Sequence, residues 1–118
     1  LVQRSASMGD YLLNKLKDLY RHSIVGDVRG LGLFTGVEFV KNKESKEPFD
    51  PSLKLHTLIG SRAFEKGLIC YPGNGGADGV HGDHILLAPP FIITEEQCDA
   101  IVEILDASID EVTKEHNL

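Results

Sequence analysis

Residues 85–97 constrain the fold of this chain more than any other stretch, because they join a strand to a long helix through two prolines. Residues 85–88 form an apolar run of strand length, and the prolines that follow end it, since proline donates no hydrogen bond to a ladder. Thr94 and Gln97 then have the spacing of a capping box. We therefore predict a buried strand that stops at the prolines and a terminal helix that begins at or just after Thr94.

Hydrophobic periodicity predicts two further helices. Apolar residues recur at three- and four-residue steps across residues 5–21, with charged residues between them, which is typical of an amphipathic helix. A second helical pattern follows Asp50 and Pro51, which together have the form of an N-cap with proline at the first helical position. Gly67 is placed to end that helix.

The remaining segments predict a small sheet. Residues 33–40 and 68–71 have strand patterns, whereas residues 24–32, with three glycines, are interpreted as a turn with an extended lead-in. Residues 72–83 form a glycine-rich loop that is either disordered or held by another surface. We predict an α+β fold, a single domain over residues 1–118, whose largely antiparallel sheet of three to four strands is covered by helices on one face.

Charge and hydropathy exclude two classes of partner. The formal net charge is −6, without a compensating lysine or arginine cluster, so the chain repels nucleic-acid phosphates and anionic lipid. No apolar run approaches the ~20 residues that cross a bilayer. Cys70 and Cys98 lack CxxC spacing and a secretory signal, which indicates reduced thiols. We expect a cytoplasmic protein with no nucleic-acid partner and no membrane association.

Two segments resemble ligand sites in composition only. The glycine-rich run at residues 73–79 lacks the lysine and hydroxyl residue of a phosphate-binding loop. His81, Asp83 and His84 are of types that bind zinc, but neighbouring strand residues point to opposite faces and a fourth ligand is not evident. We interpret both segments as solvated loops and predict no metal site.

Isolated polar residues give no self-contained catalytic site. Arg29 lies between glycines, where it either binds an anion or ties the turn to a nearby acid or carbonyl, and we favour the second role. Glu38 is interpreted as an exposed strand residue rather than a buried acid. No nucleophile can be matched with a base, so we assign no catalytic and no cofactor-binding residue.

Two motifs carry a resemblance to a known family. Residues 28–38 read VRGLGLFTGVE, and residues 86–96 read LLAPPFIITEE. Together these segments resemble the C-terminal, or small, domain of class III aminotransferases, the pyridoxal-phosphate enzymes of fold type I. The resemblance covers nearly the whole chain. Because the chain does not begin with methionine, we also expect it to be a piece of a longer protein.

The resemblance implies an activity that this chain does not complete by itself. Family members transfer an amino group from a donor to a 2-oxo acid such as pyruvate, and pyridoxal 5'-phosphate carries it. Their large domain supplies the Schiff-base lysine and most cofactor contacts, and none of the lysines here matches that motif. The resemblance therefore implies an inactive fragment of an enzyme that is a homodimer at full length.

Two substrate-binding positions follow from the same resemblance. Some members have an arginine near the substrate at the position of Tyr71, and some have an arginine that holds the α-carboxylate at the position of Leu86. This chain has a phenol and an isobutyl group instead, which cannot make a bidentate ionic contact. We therefore expect an amine or ω-amino donor, while an arginine elsewhere in the protein remains an alternative.

Two other functions stay open at this point. The chain would alternatively be a free-standing α+β module that binds a small molecule or regulates, with the loop at residues 73–82 folding over a ligand. A protein-interaction domain that uses the open sheet face is a third possibility. A transaminase domain predicts a large exposed apolar face on the sheet at residues 33–40, whereas an independent module predicts a polar one.

Overall fold

Helices and an antiparallel sheet make up the part of the chain that the structure describes. The structure, a computed structural model, describes residues 2–31, 34–75, 81–90 and 93–118, and for residues 2–6 and 31 it describes the backbone alone. In chain order the elements are helix α1 (Val2–Leu16) with a 3-10 turn (Lys17–Arg21), strands β1 (Val25–Leu31) and β2 (Phe34–Phe39), a 3-10 turn (Pro51–Leu53), helix α2 (Leu55–Glu65), strands β3 (Tyr71–Gly73) and β4 (Asp83–Leu87), and helix α3 (Glu95–His116).

The strands form one antiparallel sheet in the order β1-β2-β4-β3. Buried residues alternate with more exposed ones along β2 and β4, so one face of the sheet belongs to the core and the other is open. Buried residues of all three helices, among them Leu16, Ile59 and Leu105, join the core cluster that covers the inner face. The predicted α+β fold, with a small antiparallel sheet, is confirmed.

The prediction for residues 24–32, a turn leading into an extended entry, is wrong in the turn, because the segment contains the edge strand β1. Val28 of β1 pairs with Val37 of β2, and a bulge lies between Val25 and Asp27. The glycines serve close packing here: a Cβ at Gly26 would lie 2.6 Å from Val40 Cγ2. Glycine-rich sequence therefore marked a tightly packed strand rather than a turn.

The second predicted strand, at residues 68–71, begins three residues later and ends two residues later in the structure. Residues 68–70 lie outside the sheet, and β3 runs over Tyr71–Gly73. Pro72 is accommodated because β3 is an edge strand, where a missing amide donor breaks no ladder on the outer side. Strand β4 ends at Leu87, just before the prolines, as predicted.

The capping box predicted for the last helix is confirmed. The Gln97 backbone amide donates to Thr94 Oγ1 over 3.1 Å, and the Thr94 amide donates to Gln97 Oε1 over 3.0 Å. Helix α3 begins at Glu95, as the sequence predicts, and continues to His116. No helix within the described residues has the combined length and apolarity of a membrane span.

The N-cap predicted for helix α2 is wrong. Asp50 caps the 3-10 turn, accepting from the Ser52 amide over 2.9 Å, whereas α2 begins only at Leu55. There the His56 amide donates to Asp83 Oδ1 over 3.1 Å, so a carboxylate from β4 caps the helix. The end of the helix is as predicted, since Gly67 follows it with φ of 97°.

Candidate functional site

The two substrate positions that the resemblance implies lie side by side. Tyr71 of β3 and Leu86 of β4 are directly paired across the two antiparallel strands. Directly opposed residues point to the same face of a sheet, and here it is the open one. The side chain of Tyr71 is 60% exposed, and that of Leu86 is half-buried.

The pair belongs to a row that crosses all four strands. Gly36 of β2 pairs with Leu86, and Arg29 of β1 pairs with Gly36. The row therefore runs from Arg29 through Gly36 and Leu86 to Tyr71. Because Gly36 has no side chain, no side chain of this row lies between those of Arg29 and Leu86.

A shallow groove of about 500 Å³ follows this row on the open face. It is lined by Arg29, Gly30, Phe34, Thr35, Gly36, Glu38, His84 and Leu86. Phe34 is 59% exposed and, with Leu86, supplies the apolar part of the lining. The open face thus carries both charged and apolar residues, and the large apolar surface expected of a transaminase domain is only partly present.

Arg29 is tied to neighbouring acids, as we predicted. Its Nε lies 2.8 Å from Asp27 Oδ2, and its Nη2 lies 3.6 Å from Glu38 Oε2. The guanidinium is nevertheless largely exposed, so water screens these pairs and each contributes little to stability. Arg29 and Glu38 both line the groove, which is therefore charged where they lie.

The histidine and aspartate cluster does not converge on a common point. Asp83 is buried on the core side, and its Oδ1 lies 2.5 Å from His56 Nδ1. His84 lines the groove on the opposite face. Among the residues whose placement is described, no three histidine, cysteine or carboxylate side chains form a group suited to a metal ion.

A second, apolar groove of about 350 Å³ lies at the end of β4. It is lined by Leu68, Ile69, Tyr71, Leu87, Ala88, Pro89, Pro90, Ile93, Gln97 and Ile101. Tyr71 lines this groove while its strand partner Leu86 lines the first one. Sequence reasoning missed it because it placed residues 68–71 in a strand, whereas in the structure Ile69 lies outside the sheet and is 72% exposed.

The glycine-rich run and the thiols add no reactive group to these grooves. Residues 73–75 are described, with Gly75 at φ of 84°, but residues 76–79 of the run lie outside the described part, so its role stays a prediction. Burial raises the pKa of the Cys70 thiol, and burial together with Asp99 and Glu95 raises that of Cys98. A raised pKa lowers the thiolate fraction and hence the reactivity of both.

The chain is similar to aminotransferases over most of its length. The family model for class III aminotransferases matches residues 1–109. An uncharacterised aminotransferase of Schizosaccharomyces pombe is 50% identical over 110 residues, which are 92% of this chain and 24% of that protein. The chain thus spans about a quarter of the length of this curated relative.

Solved structures give the same result. A transaminase from the marine bacterium Virgibacillus superimposes with a TM-score of 0.88 at 36% identity, over 95% of this chain and 25% of that one. An (S)-enantioselective ω-transaminase from Thermomicrobium roseum superimposes with a TM-score of 0.79 at 35% identity, over 92% and 23%. The family match and these similarities show that this chain belongs to the class III aminotransferases.

Proposed function

We propose that the chain is the C-terminal domain of a longer pyridoxal-phosphate transaminase, which moves an amino group from an amine or ω-amino donor to a 2-oxo acid such as pyruvate. Membership of the family supports the reaction type. The similarity to an ω-transaminase supports the donor class. The length of the relatives supports a larger protein, of which this chain is about a quarter.

The observation that carries the donor class is the pairing of Tyr71 with Leu86 on the open face. A substrate carboxylate is best held by an arginine, whose planar fork makes two charge-assisted hydrogen bonds. Neither member of the pair offers a positive charge. A phenol and an isobutyl group instead favour contact with the uncharged carbon skeleton of a donor.

The cofactor fits the family but not the described residues of this chain alone. Pyridoxal phosphate would be anchored by a lysine amine and, when bound, would supply the electron sink for a substrate carbanion. Neither groove includes a lysine among its lining residues. Lys66 and Lys114, for instance, pair with Glu111 and Asp110 on helix α3. We therefore propose that another domain holds the cofactor and that the isolated chain is inactive.

The open face is the surface proposed to meet that domain. Phe34 and Tyr71 are more than half exposed there, and Leu86 lies between them at the sheet surface. Burial of such side chains would stabilise the contact by about 1.5–3 kcal/mol each if it were complete. In this arrangement Tyr71 and Leu86 meet the far end of the donor, and the charged part of the groove around Arg29 stays near solvent. We propose a cytoplasmic homodimer for the longer protein.

The test is an assay of the longer protein beside the isolated chain. With pyridoxal phosphate and pyruvate, the longer protein should form alanine from a primary amine such as 1-aminohexane. The 118-residue chain, folded by circular dichroism, should form none under the same conditions. Absence of alanine with every amine tested would favour the free-standing module instead.

A further inference from the structure

Glycine within a strand is unfavourable, because it has no side chain to pack and loses more conformational freedom than other residues. Among the residues that the structure describes, four glycines nevertheless lie within strands: Gly26, Gly30, Gly36 and Gly73. None of them is among the described glycines with positive φ, so backbone conformation does not require them. Each needs another explanation.

Crowding within the chain explains three of these glycines. A Cβ at Gly26 would lie 2.6 Å from Val40 Cγ2, one at Gly30 would lie 2.6 Å from Thr35 Cγ2, and one at Gly73 would lie 2.6 Å from His84 Nε2. Real Cβ atoms do not approach other atoms so closely. The folded chain itself therefore disfavours a side chain at Gly26 and Gly30, where the obstructing atoms lie close to the backbone, while at Gly73 the ring of His84 would have to move.

Gly36 differs from the other three. A Cβ there would meet Leu86 Cδ2 at 3.2 Å and no other atom nearer than the Ile85 carbonyl oxygen at 3.8 Å. The first contact is with the tip of a flexible side chain, which can shift by a few tenths of an ångström. The chain thus has room for alanine at this position, where it would also gain strand stability.

The surroundings of Gly36 show what its missing side chain leaves open. Phe34 and Glu38 flank it along β2, while Arg29 and Leu86 flank it on the neighbouring strands. All five residues line the groove of about 500 Å³. Gly36 is therefore the floor of that groove, and its nearest neighbour is the residue proposed to contact the donor.

We propose that Gly36 determines substrate specificity: it lets the unbranched carbon chain of an amine donor pass over the sheet between Phe34 and Leu86. The inference rests on the proposed function and adds a residue and a substrate shape to it. A methyl group at this position would narrow the groove and push Leu86 outward. Long amines should lose more than short ones.

The experiment compares two amines in the longer holoenzyme. The readout is the ratio of kcat/KM for 1-aminohexane to that for 1-aminopropane, with pyruvate as acceptor. Gly36→Ala, which adds one carbon atom to an apolar site, should lower this ratio about tenfold, and Gly36→Val, which adds three, should lower it further. Ser61→Ala, on the exposed side of α2, is the matched control and should leave the ratio unchanged.

A double variant tests whether the substitution at Gly36 changes the ratio through its contact with Leu86. In Gly36→Ala combined with Leu86→Ala, removal of the isobutyl group should restore much of the ratio, since the two positions are coupled by contact. The 118-residue chain with Gly36→Ala should melt at an equal or higher temperature than the unaltered chain. A large loss of stability would mean that internal packing explains the glycine, and the inference would be wrong.

The remaining outcomes distinguish a failure of the inference about Gly36 from a failure of the proposed function. An unchanged ratio in an active Gly36→Val enzyme would overturn the inference and leave the proposed function intact. Equal losses for both amines, with a lower melting temperature of the longer protein only, would mean that another domain covers Gly36, which also overturns it. An unaltered holoenzyme that uses neither amine would refute the proposed function, and this inference with it.

Discussion

Tyr71 and Leu86 are cross-strand partners on the open face of the sheet, although a glycine-rich segment separates them in the sequence. The pairing brings together the only two positions to which the family resemblance assigns a substrate contact. Tyr71 lines the apolar groove at the end of β4 and Leu86 lines the groove on the open face, so this pair links the two grooves. If the pair contacts the donor, as we propose, a charge placed at either position should change the preference for the donor.

Leu86→Arg should shift the preference of the longer enzyme toward carboxylate-bearing donors. A guanidinium on the open face offers a bidentate partner that the isobutyl group lacks. We expect the ratio of kcat/KM for L-alanine to that for 1-aminohexane to rise about tenfold or more, equivalent to about 1.4 kcal/mol. Leu86→Met, which keeps an apolar side chain of similar size, is the control. A ratio equal in both variants would show that position 86 does not face the donor.

Asp83→Ala should destabilise the chain far more than Asp50→Ala. Asp83 is buried, and its Oδ1 contacts both the backbone amide and the ring of His56, whereas Asp50 caps an exposed 3-10 turn. Loss of Asp83 leaves buried donors unpaired and should cost about 2–3 kcal/mol in the free energy of unfolding, against about 0.5–1 kcal/mol for Asp50. Urea unfolding of the two variants measures the difference. A larger cost for Asp50 would restore the sequence-based assignment of the α2 cap.

Thr94→Ala should weaken the start of α3. Its hydroxyl accepts from the Gln97 amide, and loss of an N-cap of this kind costs about 1 kcal/mol. Thr113→Ala, near the other end of the same helix, is the matched control, because its hydroxyl only donates back to the Asp110 carbonyl oxygen. That change should be neutral or slightly stabilising. Thermal melting distinguishes the two, and equal effects would contradict the capping role.

The contribution of Asp106 to stability should depend on pH. Hydrogen bonds from Arg21 and His22 lower the pKa of this carboxyl from its ordinary value of 3.8, against a smaller opposing effect of burial. A lowered pKa stabilises the fold above the unfolded value and loses that effect as the pH falls through the folded one. Asp106→Asn should therefore cost about 0.5–1 kcal/mol at pH 6 and less below about pH 4. A cost that does not change with pH would exclude an ionic origin.

Local signals predicted the elements whose causes are local. The two prolines and the capping box at Thr94 act through neighbouring residues, so the end of β4 and the start of α3 could be derived from the sequence. The cap of α2 could not, because its carboxylate comes from Asp83, which is 27 residues beyond His56 in the chain. Strand β1 could not be derived from the sequence for the same reason. Its glycines fit against Val40 and other neighbours that only the folded sheet supplies.

The candidate site was predictable only in part. Resemblance indicated Tyr71 and Leu86 one by one, but their pairing depends on the register between two strands, which no short-range pattern encodes. The same register places Gly36 beside Leu86 and Arg29 beyond it. From the sequence alone, a glycine within a strand indicates a loss of strand stability. Its position at the floor of a groove is known only from the folded structure.

In the proposed function, the open face that bears Tyr71 meets the amine donor of a longer transaminase. The most direct measurement is kcat/KM for 1-aminohexane with the longer holoenzyme and its Tyr71→Ala variant, beside Phe64→Ala. Phe64 is an equally exposed aromatic residue, on α2 outside both grooves. We expect a loss of about tenfold for Tyr71→Ala, which corresponds to an aromatic contact of about 1–2 kcal/mol, and no loss for Phe64→Ala. Equal values for all three proteins would contradict the proposed contact.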